Sequence, residues 1–205
     1  MYIKKILEPN FGENMYILVD EETKKCAVVD PGGAVDKIFD YINSNDLTFE
    51  YILLTHGHGD HIGAVNAIKE KTNVKVIAHK DEKVLLNDNE KNLSYSMHCG
   101  VQEVEADIYV EDNDELKLGN LTIKFIHTPG HTLGGMCIRV KDDMFTGDTL
   151  FAGQVGRTDL FGGDYNILKK SLKKLSKFED NVKIHPGHGF SSTIGKEKMT
   201  NPYMS

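Results

Sequence analysis

Three imidazoles and a carboxylate fall within the seven positions Thr55-His56-Gly57-His58-Gly59-Asp60-His61, directly after the apolar run Tyr51-Ile52-Leu53-Leu54. Donors of these types packed so closely predict a metal site, and their number predicts two ions. The apolar run predicts a buried strand whose end delivers the cluster into a loop. Gly57 and Gly59 alternate with the donors and leave the backbone free to fold around an ion without Cβ clashes. His56 and His58 would then face one ion, and Asp60 and His61 a second.

Two ions need donors from elsewhere in the chain. His131 lies in His127-Thr128-Pro129-Gly130-His131-Thr132, Asp148 in Phe145-Thr146-Gly147-Asp148-Thr149, and His188 in His185-Pro186-Gly187-His188-Gly189. Each follows an apolar, β-like stretch and has a glycine beside it. Imidazole suits zinc, iron or manganese, and a carboxylate can bridge two cations through its two oxygens, so this set can hold a dinuclear centre. Zinc is the expected metal. Two cations roughly 3.5 to 4 Å apart lower the pKa of a shared water towards neutrality and make hydroxide available without a serine or cysteine nucleophile. Attack on a carbonyl gives an oxyanion that a metal stabilises. Asp60 could orient the hydroxide as well as bind its ion.

On these residues the chain resembles the metallo-β-lactamase superfamily, whose HxHxDH signature is followed by a distant His, Asp and His. The resemblance implies a four-layer αβ/βα sandwich, with His56, His58 and His131 on one metal, Asp60, His61 and His188 on the other, and Asp148 bridging. Thr128-Pro129-Gly130-His131-Thr132, Gly147-Asp148-Thr149-Leu150-Phe151, Gly156-Arg157-Thr158-Asp159, Gly187-His188-Gly189, Thr193-Ile194-Gly195 and Asn201-Pro202-Tyr203 are similar to the glyoxalase II (hydroxyacylglutathione hydrolase) branch. That similarity implies hydrolysis of a small-molecule thioester such as S-lactoylglutathione. It also implies a substrate contact for Arg157, where the branch places a basic residue that helps bind glutathione. A loop clamp from Arg157 to Asp159 is the other reading of that residue.

Other branches fit less well. True β-lactamases replace the bridging aspartate and carry a leader, whereas the flavodiiron branch has a glutamate at the position of His58 and an added flavin domain. Two rivals stay open: a mononuclear-iron persulfide dioxygenase, whose branch shares the Gly-Arg-Thr-Asp stretch, and a non-catalytic metal-binding scaffold or sensor. Typical glyoxalase II enzymes continue into a C-terminal helical domain that grips glutathione. Here a single domain over residues 1–205 is expected.

The 205 residues, 40% hydrophobic, suffice for one well-buried core. A net charge of -7 offers no long-range attraction to nucleic acid. Met1 to Asn10 has no long apolar core, so neither a signal peptide nor a membrane span is expected there, and a cytoplasmic location follows. The three cysteines lack paired spacing: Cys26 and Cys137 read as buried hydrophobes, and Cys99 lies in a polar stretch beside His98.

The elements form two similar halves. Strand-like runs near Met1 to Leu7, Met15 to Val19, Cys26 to Val29, Tyr51 to Leu54 and Val74 to Ala78 surround helices at about Ala34 to Asn43, after His61 (Ile62, Val65, Ile68) and near Asp81 to Leu86. The second half has strand-like runs at Ile108 to Val110, Leu121 to His127, Met136 to Val140 and Met144 to Phe145, then a helix from about Asp164 to Phe178 with a solvated lysine face. Five of the nine histidines fit ligand roles. His127 is expected to donate a supporting hydrogen bond near the centre, His79 and His185 to be satisfied structural groups, and His98 has no clear place.

Overall fold

A computed structural model describes residues 1–100 and 102–204. The first sheet follows chain order: β1 (Tyr2–Leu7), β2 (Asn14–Val19), β3 (Lys25–Val29), β4 (Thr48–Leu53), β5 (Lys75–His79) and β6 (Ile108–Val110). β1 to β3 are antiparallel and β3 to β6 parallel. Connection length sets the change, because parallel neighbours need a crossover. Helix α1 (Val35–Ser44) supplies the first, and α2 (Gly59–Ile62) with α3 (Val65–Lys71) the second; a 3₁₀ turn (Lys80–Glu82) and α4 (Lys83–Leu86) lead towards the third.

The second half contributes β7 (Glu115–Leu118), β8 (Leu121–His127), β9 (Met136–Val140) and β10 (Asp143–Gly147), then a small hairpin of β11 (Leu150–Phe151) and β12 (Gln154–Val155). After helix α5 (Tyr165–Leu175) come β13 (Lys183–Pro186), β14 (Ser192–Thr193) and helix α6 (Ile194–Thr200). The sheet order is β14-β13-β10-β9-β8-β7, with β13 parallel to β10 through the α5 crossover. Asp164 caps α5 by accepting from the Ile167 amide at 3.0 Å.

Three apolar seams make four layers. On β2, Met15, Ile17 and Val19 pack with Ile38 and Ile42 of α1 and Ile68 of α3. The alternate residues Tyr16 and Leu18 face the other sheet and meet Phe125, Ile138 and Phe145. A strand buried on both faces has no polar alternation, which is why this segment reads as an unbroken apolar run. Beneath the second sheet, Ile126, Cys137 and Met144 pack on Leu168, Leu172 and Leu175 of α5 and Ile194 of α6. The αβ/βα sandwich matches the expected fold class, and Lys169, Lys170, Lys173 and Lys177 are exposed. Lys174 instead reaches the Asp112 carboxylate at 2.6 Å and the His127 carbonyl at 2.9 Å.

Several elements differ from expectation. The helix after His61 is two pieces, and the first begins at Gly59, so Asp60 and His61 sit on a helical turn and not in a loop. β7, β11 to β14 and α6 were not anticipated; the strands among them are two to four residues long, too short for a readable period. Cys26 and Cys137 are buried free thiols. Burial pushes Cys26 up to about 12, and Cys137 and Cys99 up to about 11.

The halves are stitched at one rim. The Asn14 amide donates to the Gly187 carbonyl at 2.7 Å, and its side chain donates to the Pro186 and Gly189 carbonyls at 3.0 Å each. The Tyr16 hydroxyl donates to Pro186 at 2.7 Å. A strand of the first sheet thus holds the turn that carries His188.

Candidate metal centre

The donors leave the C-terminal ends of four strands: His56 to His61 after β4, His131 after β8, Asp148 after β10 and His188 after β13. Strand ends of this kind are where α/β folds form ligand crevices. At Asp148 the β10–β13 register shifts between Phe145 and Gly147, and Gly147 has φ +45°. The bulge and left-handed turn re-aim the next side chain. Gly187 permits a close approach instead: a Cβ there would lie 2.5 Å from both Asp148 Oδ1 and His61 Cε1.

Two trios result. Donor atoms of His56, His58 and His131 lie within 4.8 Å of one another, as do those of Asp60, His61 and His188. In the first, His58 Nδ1 stands 2.9 Å from His131 Nε2. In the second, Asp60 Oδ2 lies 3.3 Å from His188 Nε2 and 3.9 Å from His61 Nε2. Asp148 sits between them, its Oδ1 3.4 Å from His61 Nε2 and its Oδ2 3.6 Å from His131 Nε2 and 3.8 Å from His188 Nε2. The seven sequence-predicted donors converge.

These residues fit a pair of cations. His56 Nε2, His61 Nε2 and Asp148 Oδ1 are buried with no hydrogen-bonding partner among the described residues. Each such atom costs about 1–3 kcal/mol, so a cluster of them is expected only where something else satisfies it. Burial and neighbouring imidazoles pull His56 well below its ordinary value and His58 down to about 3, leaving lone pairs available. Burial, the largest single influence, opposes ionisation of Asp60 and Asp148, but His61 and His188 together, joined by His131 at Asp148, outweigh it and hold both carboxyls below the usual range. Burial also pulls His61 down, yet Asp60, Asp148 and Asp30 raise it well above its ordinary value. A cation there would take the place of that proton.

The supporting groups went unrecognised in the sequence. Asp30 Oδ2 accepts from His61 Nδ1 at 3.1 Å while the Asp30 carboxylate takes the Thr55 amide at 2.7 Å and hydroxyl at 2.6 Å. With its own proton committed to Asp30, the Thr55 hydroxyl accepts from His56 Nδ1 at 3.2 Å. His131 Nδ1 donates to the Arg157 carbonyl at 2.7 Å. Bonds of this kind fix tautomer and ring orientation. Asp30 did carry a signal, since it follows the apolar run Cys26 to Val29 and precedes Pro31-Gly32-Gly33. Glu82 carried none; burial pushes its carboxyl up to about 7 although the Gly57 amide, Thr132 hydroxyl and Gly134 amide favour its charged form.

His127 corrects an expectation. Its Nε2 donates to the Leu133 carbonyl at 3.0 Å and its ring stacks on His79 at 3.8 Å, so it supports no member of either trio directly. His185 is satisfied by Asp143 at 2.8 Å, as expected. His98, with φ +58°, and Cys99 line a neighbouring cavity of about 570 Å³.

The centre opens into a cavity of about 320 Å³ lined by His58, Asp60, His131, Asp148 and His188 together with Leu93, Met97, Leu160 and Arg157. Arg157 makes a two-point pair with Asp159, both bonds 2.7 Å, with both side chains exposed. The guanidinium thus clamps its loop, while the residue contributes to the cavity lining. Among the described residues, no helix is long and apolar enough to cross a membrane.

Residues 9–188 match the metallo-beta-lactamase superfamily. Hydroxyacylglutathione hydrolase GloC of Haemophilus influenzae is 34% identical over 212 residues, covering 100% of this chain and 99% of that protein. The crystal structure of the BLEG-1 B3 metallo-beta-lactamase superposes with a TM-score of 0.91 at 33% identity over 100% of both chains. TTHA1623 in its di-iron-bound form gives a TM-score of 0.86 at 30% identity, covering 98% of this chain and 99% of that one. By sequence and by fold, the chain belongs to the metallo-beta-lactamase superfamily, whose fold binds divalent metal ions.

Proposed function

We propose that this protein is a metal-dependent hydrolase of acyl thioesters. His56, His58 and His131 would hold one divalent cation, Asp60, His61 and His188 a second, and Asp148 both, with zinc the metal and iron or manganese compatible with the same donors. The observation that carries this reading is the Asp148 carboxylate, set 3.4 to 3.8 Å from donors of both trios. Similarity to a hydroxyacylglutathione hydrolase supports the thioester assignment.

Bound cations supply Lewis acidity and ionise water at neutral pH. Asp60 lines the cavity in its ionised form, so it can accept a hydrogen bond from a water and orient it towards the substrate. Leu93, Met97 and Leu160 give the acyl end an apolar wall and keep bulk water from it. Arg157, at the edge of the same cavity, would meet the thiol carrier.

Metal analysis combined with a thioester panel on one preparation tests the proposal. Two equivalents of a divalent cation and turnover of acyl thioesters that stops on chelation are expected. A preparation that holds one iron, consumes oxygen with a persulfide and leaves thioesters intact would overturn it, as would a fully metallated protein inert towards every thioester.

A further inference from the structure

Glu82 is 1% exposed, and among the described residues no cationic side chain satisfies it. Its carboxylate takes instead the Gly57 amide at 2.9 Å on Oε1, and the Gly134 amide at 2.7 Å and Thr132 hydroxyl at 3.1 Å on Oε2. Gly57 lies between His56 and His58, and Thr132 follows His131. One carboxylate therefore joins the two loops that supply the first trio, one loop to each oxygen. The loops press closely on it: a Cβ at Gly134 would lie 2.6 Å from Glu82 Oε2.

The segment bearing Glu82 is itself firmly placed. Leu85 and Leu86, three and four residues on, are buried. The preceding His79 accepts from the Asp81 amide at 3.3 Å and stacks on His127, which bonds Leu133 in the His131 loop. The same segment thus meets the His131 loop at two points. A buried carboxylate with three donors and no counter-ion is costly to place; its bonds span two chain segments far apart in sequence, which a local helix cap does not require.

We infer that Glu82 is a positioning residue that sets the separation of the His56–His58 loop from the His131 loop, and so the retention of the cation held by the first trio. The inference rests on the reading of those three histidines as one cation's ligands. Asp60, His61 and His188 share no bond with Glu82, so the second cation should be indifferent to it.

Glu82→Gln tests this, because an amide keeps one acceptor oxygen and turns the other into a donor facing an N–H, which releases one loop while preserving volume. The readouts are zinc content after dialysis against graded chelator, exchange rates of the Gly57 and Gly134 amides, and melting of the metal-free protein. For Glu82→Gln, one of two zinc equivalents should bind about 10- to 100-fold more weakly, with the other unchanged and at least one of the two amides exchanging faster. Glu82→Asp, which retains both oxygens, should restore part of the lost affinity. Both equivalents retained at wild-type affinity would overturn the inference. Both lost together, in step with a lowered melting temperature, would overturn it in favour of a general role in the fold. Wild-type protein that holds no zinc would instead overturn the metal reading on which it rests.

Discussion

Gly187→Ala adds one methyl group at a crowded point of the centre, where the two nearest atoms belong to side chains and not to backbone. The new Cβ would stand 2.5 Å from Asp148 Oδ1 and 2.5 Å from His61 Cε1. Ordinary contacts begin near 3.5 Å, so a neighbour must retreat by about 1 Å. His61 is fully buried and pinned through Nδ1 to Asp30 at 3.1 Å. Retreat of the Asp148 carboxylate relieves one contact, and the contact with the pinned His61 ring pushes back the turn that carries His188, so the group shared by both trios and a donor of the second are displaced together. Overpacking of this kind costs about 1–3 kcal/mol; at about 2–4 °C per kcal/mol for a chain of this size, melting should fall by about 2–12 °C. Affinity for both cations should fall at least about tenfold. Melting curves with and without chelator, together with metal content after gel filtration, read both effects. Gly189→Ala is the control: its φ of +80° is strained for alanine, but a Cβ there meets nothing within 4 Å. It should lose about 1–2 kcal/mol and no metal. Gly187→Ala that melts with the wild type and keeps both cations would refute the shared-carboxylate argument.

Asp148→Ala should weaken retention of both cations, since one side chain serves the pair; elemental analysis showing either ion unaffected would contradict this. Arg157→Ala should raise KM for a glutathione thioester more than it lowers kcat, with little change on a carrier-free thioester. Equal losses on both substrates would leave the Asp159 clamp as its sole role. The raised thiol pKa values keep all three cysteines protonated at pH 7, and a thiol whose pKa is raised gains reactivity only as pH climbs towards it. A disulfide-exchange reagent on native protein should therefore label Cys99 alone, slowly at pH 7 and faster at pH 9; rapid labelling of Cys26 or Cys137 without unfolding would contradict the burial.

The donors were legible because each carries a local sign: a strand-like run before it and a glycine at its side. Asp148 and His188 show how much that sign says, since Gly147 and Gly187 supply the turn and the clearance that bring the two side chains together. The groups that orient the donors carry no such sign. Glu82 falls in the expected helix near Asp81 to Leu86 among the charged residues Lys80, Asp81 and Lys83, and the sequence alone does not say that it turns inward. His127 misled through nearness in sequence to His131; at the end of β8 its ring turns to His79 and away from the trios. β13 was missed because Lys183-Ile184-His185-Pro186 has one clearly apolar residue and pairs with β10 across the long α5 connection.

The stitch from Asn14 and Tyr16 to the Pro186–Gly189 turn has a consequence for how the molecule assembles. Each trio draws donors from both halves, His56 and His58 meeting His131, and Asp60 and His61 meeting His188. Neither half completes a trio alone, so cation affinity becomes a property of their docking and not of either half's own folding. A free cation at about 100 times its Kd would add about 2.7 kcal/mol to the docked state and nothing to a pair of separated halves. Ions held there as proposed would act as rivets through the rim that β2 already sews, and the cation supply would set how strongly that seam is held.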